Sequence, residues 1–304
     1  MPDDGAGRLG ARWAWVVVLV AANKMRTLVT GLNGFTGRYL KAELTALGHV
    51  VVDLESDLTD AAALAAEMQT LQPDWVAHLA GIAFVGHGEP NDFYRVNLIG
   101  TRNLLAALAG CGKRPACVLL ASSANVYGNA IEGVLTERTP PNPANDYAVS
   151  KLAMEYAARL WLDKLPIVIA RPFNYTGVGQ SKDFVIPKLV EHFAQRAPAV
   201  ELGNLDVARE FNDVRAVVGA YRRLLEACPE GQTVNVCSGQ AHSLREVLTL
   251  AETISGHLMS VVVNPAYVRQ NEVKTLCGDT TRLRELIGDW DMPTLEETLR
   301  WMLA

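Results

Sequence analysis

The chain has 304 residues, 49% of them apolar and 20% charged, with a formal net charge of -5. That composition suits a globular protein with a large buried core and excludes a broad basic footprint for nucleic acid. Five scattered cysteines, Cys111, Cys117, Cys228, Cys237 and Cys277, lack metal-type spacing. They point to free thiols in a reducing compartment, and no His, Cys and carboxylate cluster has the spacing of a metal site.

Residues 1–24 read as an N-terminal extension. Arg8 and Arg12 precede an apolar run over residues 13–22. The run has the charge and length of a signal-peptide core but is too short to span a bilayer. The first strand pattern starts immediately after Met25, which is expected to be the natural start of a cytoplasmic protein with no membrane partner.

Residues 26–29 predict a short buried strand. Residues 37–47 predict a helix with Leu40, Leu44 and Leu47 on one face. Between them lies Gly31-Leu32-Asn33-Gly34-Phe35-Thr36-Gly37. Glycines let a backbone approach a pyrophosphate, and a helix N-terminus offers it free N–H groups. The strand at 49–52 leads to Asp53, about 20 residues on, where a ribose hydroxyl needs an acceptor. A helix follows Asp60, then a strand at 75–81 ending in Leu79, Ala80 and Gly81. Residues 92–110 predict one long helix, 118–123 a strand ending in Ser122 and Ser123, 146–162 a helix and 167–170 a strand.

After Pro172 the rhythm loosens. Helices are predicted at 186–195, 214–227, 244–254, 281–287 and 295–303, a strand at 233–236, and an apolar stretch at 259–263. The expectation is an α/β Rossmann fold, a doubly wound parallel sheet over 25–172. A smaller C-terminal substrate-binding domain is expected over 173–304, with part of 211–237 returning to the sheet. Ligands then belong beyond the carboxyl ends of the strands.

Tyr147 and Lys151 are four apart on a predicted helix, so their side chains share a face. A free phenol titrates near ~10, and a neighbouring ammonium lowers that value. With Ser123 at a neighbouring strand end, the pair is a candidate proton donor, the serine holding the reacting oxygen.

Several motifs together resemble the extended short-chain dehydrogenase/reductase family. They are the glycine turn, Ser122-Ser123-Ala124-Asn125-Val126-Tyr127-Gly128, Tyr147-Ala148-Val149-Ser150-Lys151, Asp57-Leu58, His78-Leu79-Ala80-Gly81, Asn97-Leu98-Ile99-Gly100-Thr101 and Arg171-Pro172-Phe173-Asn174. The resemblance implies NADH or NADPH as cofactor. It places the backbone of residues 33–36 under the pyrophosphate, Asp57 and Leu58 at the adenine, and Leu79, Ala80 and Gly81 along the adenosine. Ser123, Tyr147 and Lys151 become the catalytic set, Lys151 also reaching the nicotinamide ribose. Pro172 joins the cofactor residues, and Asn97 holds the sheet. Asn125 stands where sugar 4,6-dehydratases of the family carry an acid, and an amide cannot act as one.

The C-terminal half is similar to GDP-sugar members. Asn174, Gln180, the stretch from Arg209 to Val214, Asn235 to Gly239, and Arg269 to Asp279 carry this likeness. It implies a GDP-sugar substrate, with Arg209 and Arg269 on the diphosphate, Glu272 on the nucleotide ribose, and Ser123, Asn125, Tyr147 and Asn174 at the sugar. The implied activity is reduction of the C4 keto group of a GDP-4-keto-6-deoxy-hexose for a surface polysaccharide. The implied assembly is a homodimer through the helices at 92–110 and 146–162. The rival activity is nucleotide-sugar 4-epimerisation with retained NAD.

Overall fold

The computed structural model describes residues 24–83, 89–128, 133–267 and 275–304. Six strands form one parallel sheet: β1 (Arg26–Thr30), β2 (Val50–Val52), β3 (Trp75–His78), β4 (Cys117–Ala121), β5 (Ile167–Pro172) and β6 (Thr233–Val236). Their spatial order is β6-β5-β4-β3-β1-β2, every neighbouring pair parallel. The order reverses between β1 and β3, which opens a crevice beyond their carboxyl ends. β6, late in the chain, is the edge strand beside β5.

Both faces of the sheet are covered, so its strands read as nearly continuous apolar runs. Alternation within each strand sorts the residues. Val29, Ala77, Leu119 and Val168 face the cluster with α1 (Phe35–Ala46), α6 (Val214–Ala227) and α8 (Thr281–Ile287). Leu28, Val76, Val118, Leu120 and Ile169 face the cluster with α2 (Ala61–Leu71), the long helix α3 (residues 90–109) and α4 (Asp146–Arg159). Local signals fix where these helices start. Asp60 caps α2 by accepting from the Ala62 and Ala63 amides, and Asn145 caps α4 by accepting from Ala148.

Helices α1 and α3 depart from the sequence expectation. α1 begins at Phe35, two residues early, and Leu47 is exposed at its end while Leu40 and Leu44 are buried. The long helix α3 is not uniform. It comprises Pro90–Phe93, a π-helical stretch Tyr94–Gly100, and Thr101–Ala109. The wider turns lie where the Thr101 hydroxyl donates back to the Asn97 carbonyl (2.7 Å), and where Gly100 receives Leu58.

A third apolar cluster joins α5 (Val185–Ala194), α7 (Leu244–Ser255) and α9 (Leu295–Leu303) through Leu189, Phe193, Val247 and Leu299. Short strands missed in the sequence lie beside it. Ala199–Leu202 pairs with Ser260–Val263. A four-stranded sheet runs His242–Ser243, Ala208–Arg209, Thr275–Gly278, Gly133–Leu135. Among the described residues no helix is long and apolar enough to cross a membrane.

Candidate active site

The glycine turn follows β1 directly. Gly31 has φ +74°, and a Cβ there would sit 2.9 Å from the Ala80 backbone. A Cβ on Gly37 would sit 2.2 Å from the Gly31 carbonyl oxygen. The turn is therefore closed tightly against the end of β3, and these two positions admit only glycine. Gly34 caps α1 with no side-chain hydrogen bond, and the first turn of α1 carries no acid. The leading amides of α1, at Phe35 and Thr36, are thus left to an anion.

Asp53 stands beside this turn. Its Oδ2 accepts from the Asn33 side-chain amide (3.2 Å) and its Oδ1 from the Leu54 N–H (2.9 Å). Asp57 accepts from Thr59 through both the backbone and the hydroxyl, which holds its carboxyl below the usual range. Leu58 is buried against Gly100, and its carbonyl accepts from Asn103 (3.0 Å). These are the surroundings a dinucleotide needs: bare amides at a helix start, a carboxylate at the next strand end, and a buried apolar wall.

His78, at the end of β3, is a structural group. Its ring bridges Thr30 (2.7 Å) and Thr101 (2.8 Å), and burial pulls its pKa down to about 3, so it stays neutral. Asn97 accepts from the Ile82 N–H (2.9 Å) and donates to the Ser150 hydroxyl (3.1 Å), fixing the turn after β3 to α4.

That turn reaches the chemical centre. A Cβ on Gly81 would lie 2.7 Å from Asn97 Oδ1 and 3.2 Å from Lys151 Nζ. Ser123 stands two residues beyond β4, its side chain close enough to the Tyr147 phenol to draw that group's pKa down. The Ser123 hydroxyl also accepts from the Asn125 N–H (3.1 Å), starting the short helical turn Ala124–Tyr127. The fold thus brings together Gly81, Ser123, Tyr147 and Lys151 from two strand ends and one helix.

The electrostatics differ from the simple pairing expected. Burial raises the Tyr147 pKa to about 12, against which the Ser123 hydrogen bond works. Burial lowers that of Lys151 to about 8, with Glu155 opposing. Lys151 Nζ donates to the Ala121 carbonyl (2.9 Å). The face of α4 is shared as the spacing predicts, but desolvation outweighs any help from the ammonium, and the phenol is held protonated.

Sequence reasoning missed a buried network behind this centre. Arg171 holds Glu155 bidentately (2.8 and 2.6 Å), and Ser122 donates to Glu155 (2.5 Å). Arg171 also donates to the Tyr127 hydroxyl (3.0 Å), which donates to Asn235 (2.7 Å). The available signal was Glu155 itself, four residues beyond Lys151 on the buried face of α4. Tyr175 was missed too. Its hydroxyl is 2.8 Å from Thr36 Oγ1.

The remaining candidates lie further along the chain. Pro172 ends β5, and Asn174 is exposed just after it. Arg209 is half-buried in the strand Ala208–Arg209, in register with Leu276 of Thr275–Gly278, and donates to the Ala208 carbonyl (2.8 Å). Arg269 and Glu272 lie outside the described residues, as do residues 1–23. Among the described residues no group of His, Cys, Asp and Glu could hold a metal ion.

The GDP-mannose 4,6 dehydratase family profile matches residues 51–302. GDP-6-deoxy-D-mannose reductase of Pseudomonas aeruginosa is 37% identical over 92% of this chain and 96% of its own length. GDP-6-deoxy-D-talose 4-dehydrogenase of Aggregatibacter actinomycetemcomitans is 34% identical over 87% and 92%. Among solved structures, RMD from Pseudomonas aeruginosa complexed with NADPH superposes with a TM-score of 0.84 at 35% identity, over 92% of this chain and 96% of that one. A candidate epimerase from Burkholderia cenocepacia superposes at 0.88 with 52% identity, over 92% and 97%.

Proposed function

The chain belongs to the GDP-mannose 4,6 dehydratase family of extended short-chain dehydrogenase/reductases, and from that premise we propose that it is an NAD(P)H-dependent reductase of a GDP-4-keto-6-deoxy-hexose. The substrate we favour is GDP-4-dehydro-6-deoxy-D-mannose. The product is then a GDP-6-deoxy-hexose of the GDP-D-rhamnose type, made in the cytoplasm for a surface polysaccharide.

The observation that carries this reading is the buried set of Ser123, Tyr147 and Lys151, the serine side chain close to the phenol, with Asn125 two residues after the serine. A bound reduced nicotinamide would supply hydride to the sugar carbonyl carbon. Ser123 donates a hydrogen bond to the carbonyl oxygen and keeps it within reach of Tyr147. Tyr147, held protonated by burial, gives its phenolic proton to that oxygen as negative charge develops. Lys151 offers an ammonium that stabilises the resulting phenolate. Dehydration would need an acid where Asn125 stands, so the family's name does not carry over as the activity.

Residues 173–304 serve, in this reading, mainly as the nucleotide-sugar domain. Arg209 and Arg269 meet the diphosphate, Glu272 the ribose, and Asn174 the sugar. Exposed Ile99, Val149, Tyr156 and Leu160 on α3 and α4 support a homodimer through these helices. Asp53, beside the glycine turn, favours a free ribose 2′-hydroxyl, so NADH is expected to serve at least as well as NADPH. The test supplies freshly made GDP-4-dehydro-6-deoxy-D-mannose with either cofactor. Loss of reduced cofactor and an NMR spectrum showing a C4 alcohol are expected. Folded protein that oxidises neither cofactor would refute the assignment.

A further inference from the structure

The N-terminal turn of α1 has no local side chain to hold it. Gly34 contributes no cap, and no acid lies in the first turn. Its two leading residues, Phe35 and Thr36, are instead gripped by one side chain 139 residues further on. The Tyr175 ring stacks on Phe35, centroids 6.1 Å apart and planes 12° from parallel. The Tyr175 hydroxyl lies 2.8 Å from Thr36 Oγ1.

Tyr175 is itself firmly set. It lies in the two-residue strand Tyr175–Thr176, paired in parallel with Asn212–Asp213. The Asn212 N–H donates to the Asn174 carbonyl (2.9 Å). The following loop returns to the same helix. Arg38 donates to the Gly179 carbonyl (3.1 Å) and the Tyr39 hydroxyl to the Val178 carbonyl (2.8 Å). Tyr39 in turn meets Phe35 edge to face at 5.5 Å. Burial raises the Tyr175 pKa, so its hydroxyl stays neutral.

We propose that Tyr175 is a positioning residue of the cofactor site, holding Phe35 and Thr36 so that the amides of the first turn of α1 face the dinucleotide diphosphate. A β-branched threonine has few rotamers, and its hydroxyl can otherwise turn back on the backbone of its own helix start. Tyr175 removes that alternative and fixes the Phe35 ring at the same time. The grip comes from the strand just after Asn174, so cofactor seat and sugar seat share one segment. The inference rests on the cofactor part of the function proposed above.

Binding of NADH to the full-length protein, followed by cofactor fluorescence, provides the test alongside steady-state kinetics. Tyr175→Phe keeps the stacked ring and removes the hydroxyl, and Thr36→Val removes the other partner. Each is expected to weaken NADH binding about 3- to 10-fold and raise the KM for cofactor equally, the scale of one lost hydrogen bond. The kcat should change much less than the KM for cofactor, because Ser123, Tyr147 and Lys151 all stay in place. The double variant should bind no worse than the weaker single one, since both lose the same contact. Wild-type affinity in Tyr175→Phe, with or without a lower Tm, overturns the proposal by leaving only a structural role. Multiplying effects in the double variant overturn it as well. Unchanged NADH fluorescence with the folded wild-type protein overturns the cofactor reading first, and the proposal with it.

Discussion

Helix α4 carries two buried ionisable centres on one face, and they are built in opposite ways. Glu155 accepts from Ser122 and twice from Arg171, so its charge is fully matched. Two turns earlier Tyr147 lies close to the Ser123 side chain, and one turn earlier Lys151 donates to one backbone carbonyl. Both pKa values there are displaced by burial. A buried charge with every partner present locks the fold, whereas groups left with displaced protonation equilibria are poised for chemistry. In the proposed reading, one end of α4 serves the structure and the other the chemistry.

Variants at the two ends should therefore separate rate from stability. Tyr147→Phe is expected to lower turnover by ~100- to 10,000-fold with Tm and cofactor affinity kept, since only a proton donor is removed. A variant retaining more than half of the wild-type rate would show that another group supplies the proton. Glu155→Ala should do the reverse. Removing one partner of a buried ion pair costs about 3–5 kcal/mol, so urea titration should show a large fall in stability. An unchanged midpoint would mean that Arg171 finds other partners.

Lys151 gives a smaller effect that depends on pH. Its folded pKa, about 8, lies below the ordinary 10.5. Between those values the unfolded chain binds more protons than the folded one, so this group's penalty on stability is relieved as pH rises through that window. Activity should move the other way. The ammonium is lost above about 8, and the rate should fall there, while Lys151→Arg should show no such limb because arginine stays charged. Identical pH profiles for the two proteins would remove Lys151 from the proton-transfer step. The smallest effect belongs to Tyr221 in α6, whose buried hydroxyl has no hydrogen-bond partner among the described residues. Tyr221→Phe should leave Tm unchanged or raise it slightly, and a clear fall would reveal an unseen partner.

The geometry of the glycine turn was largely legible in sequence, because it is made of backbone. Gly31 and Gly37 are dictated by close approach, and strand and helix periods place them. Lys151, Tyr147 and Ser123 followed from a helix spacing and a strand end. The network of Glu155, Arg171, Tyr127 and Asn235 was not legible, since it joins four elements whose mutual packing no local pattern records. Short strands such as Ala208–Arg209 were missed for the same reason: two residues have no period, and long-range pairing alone makes them strands. The uniform helix expected over 92–110 gives way to wider turns over Tyr94–Gly100, where the Thr101 hydroxyl, also bound to His78 of β3, donates to the Asn97 carbonyl.

The destination of the hydride tests the central claim most directly. Reduced cofactor deuterated at the transferring position of its nicotinamide would be mixed with GDP-4-dehydro-6-deoxy-D-mannose and the wild-type protein. A reductase places one deuterium on C4 of the product sugar for each cofactor oxidised, and releases the oxidised cofactor. Sugar that inverts with no net cofactor oxidation, or product without deuterium at C4, would contradict the account.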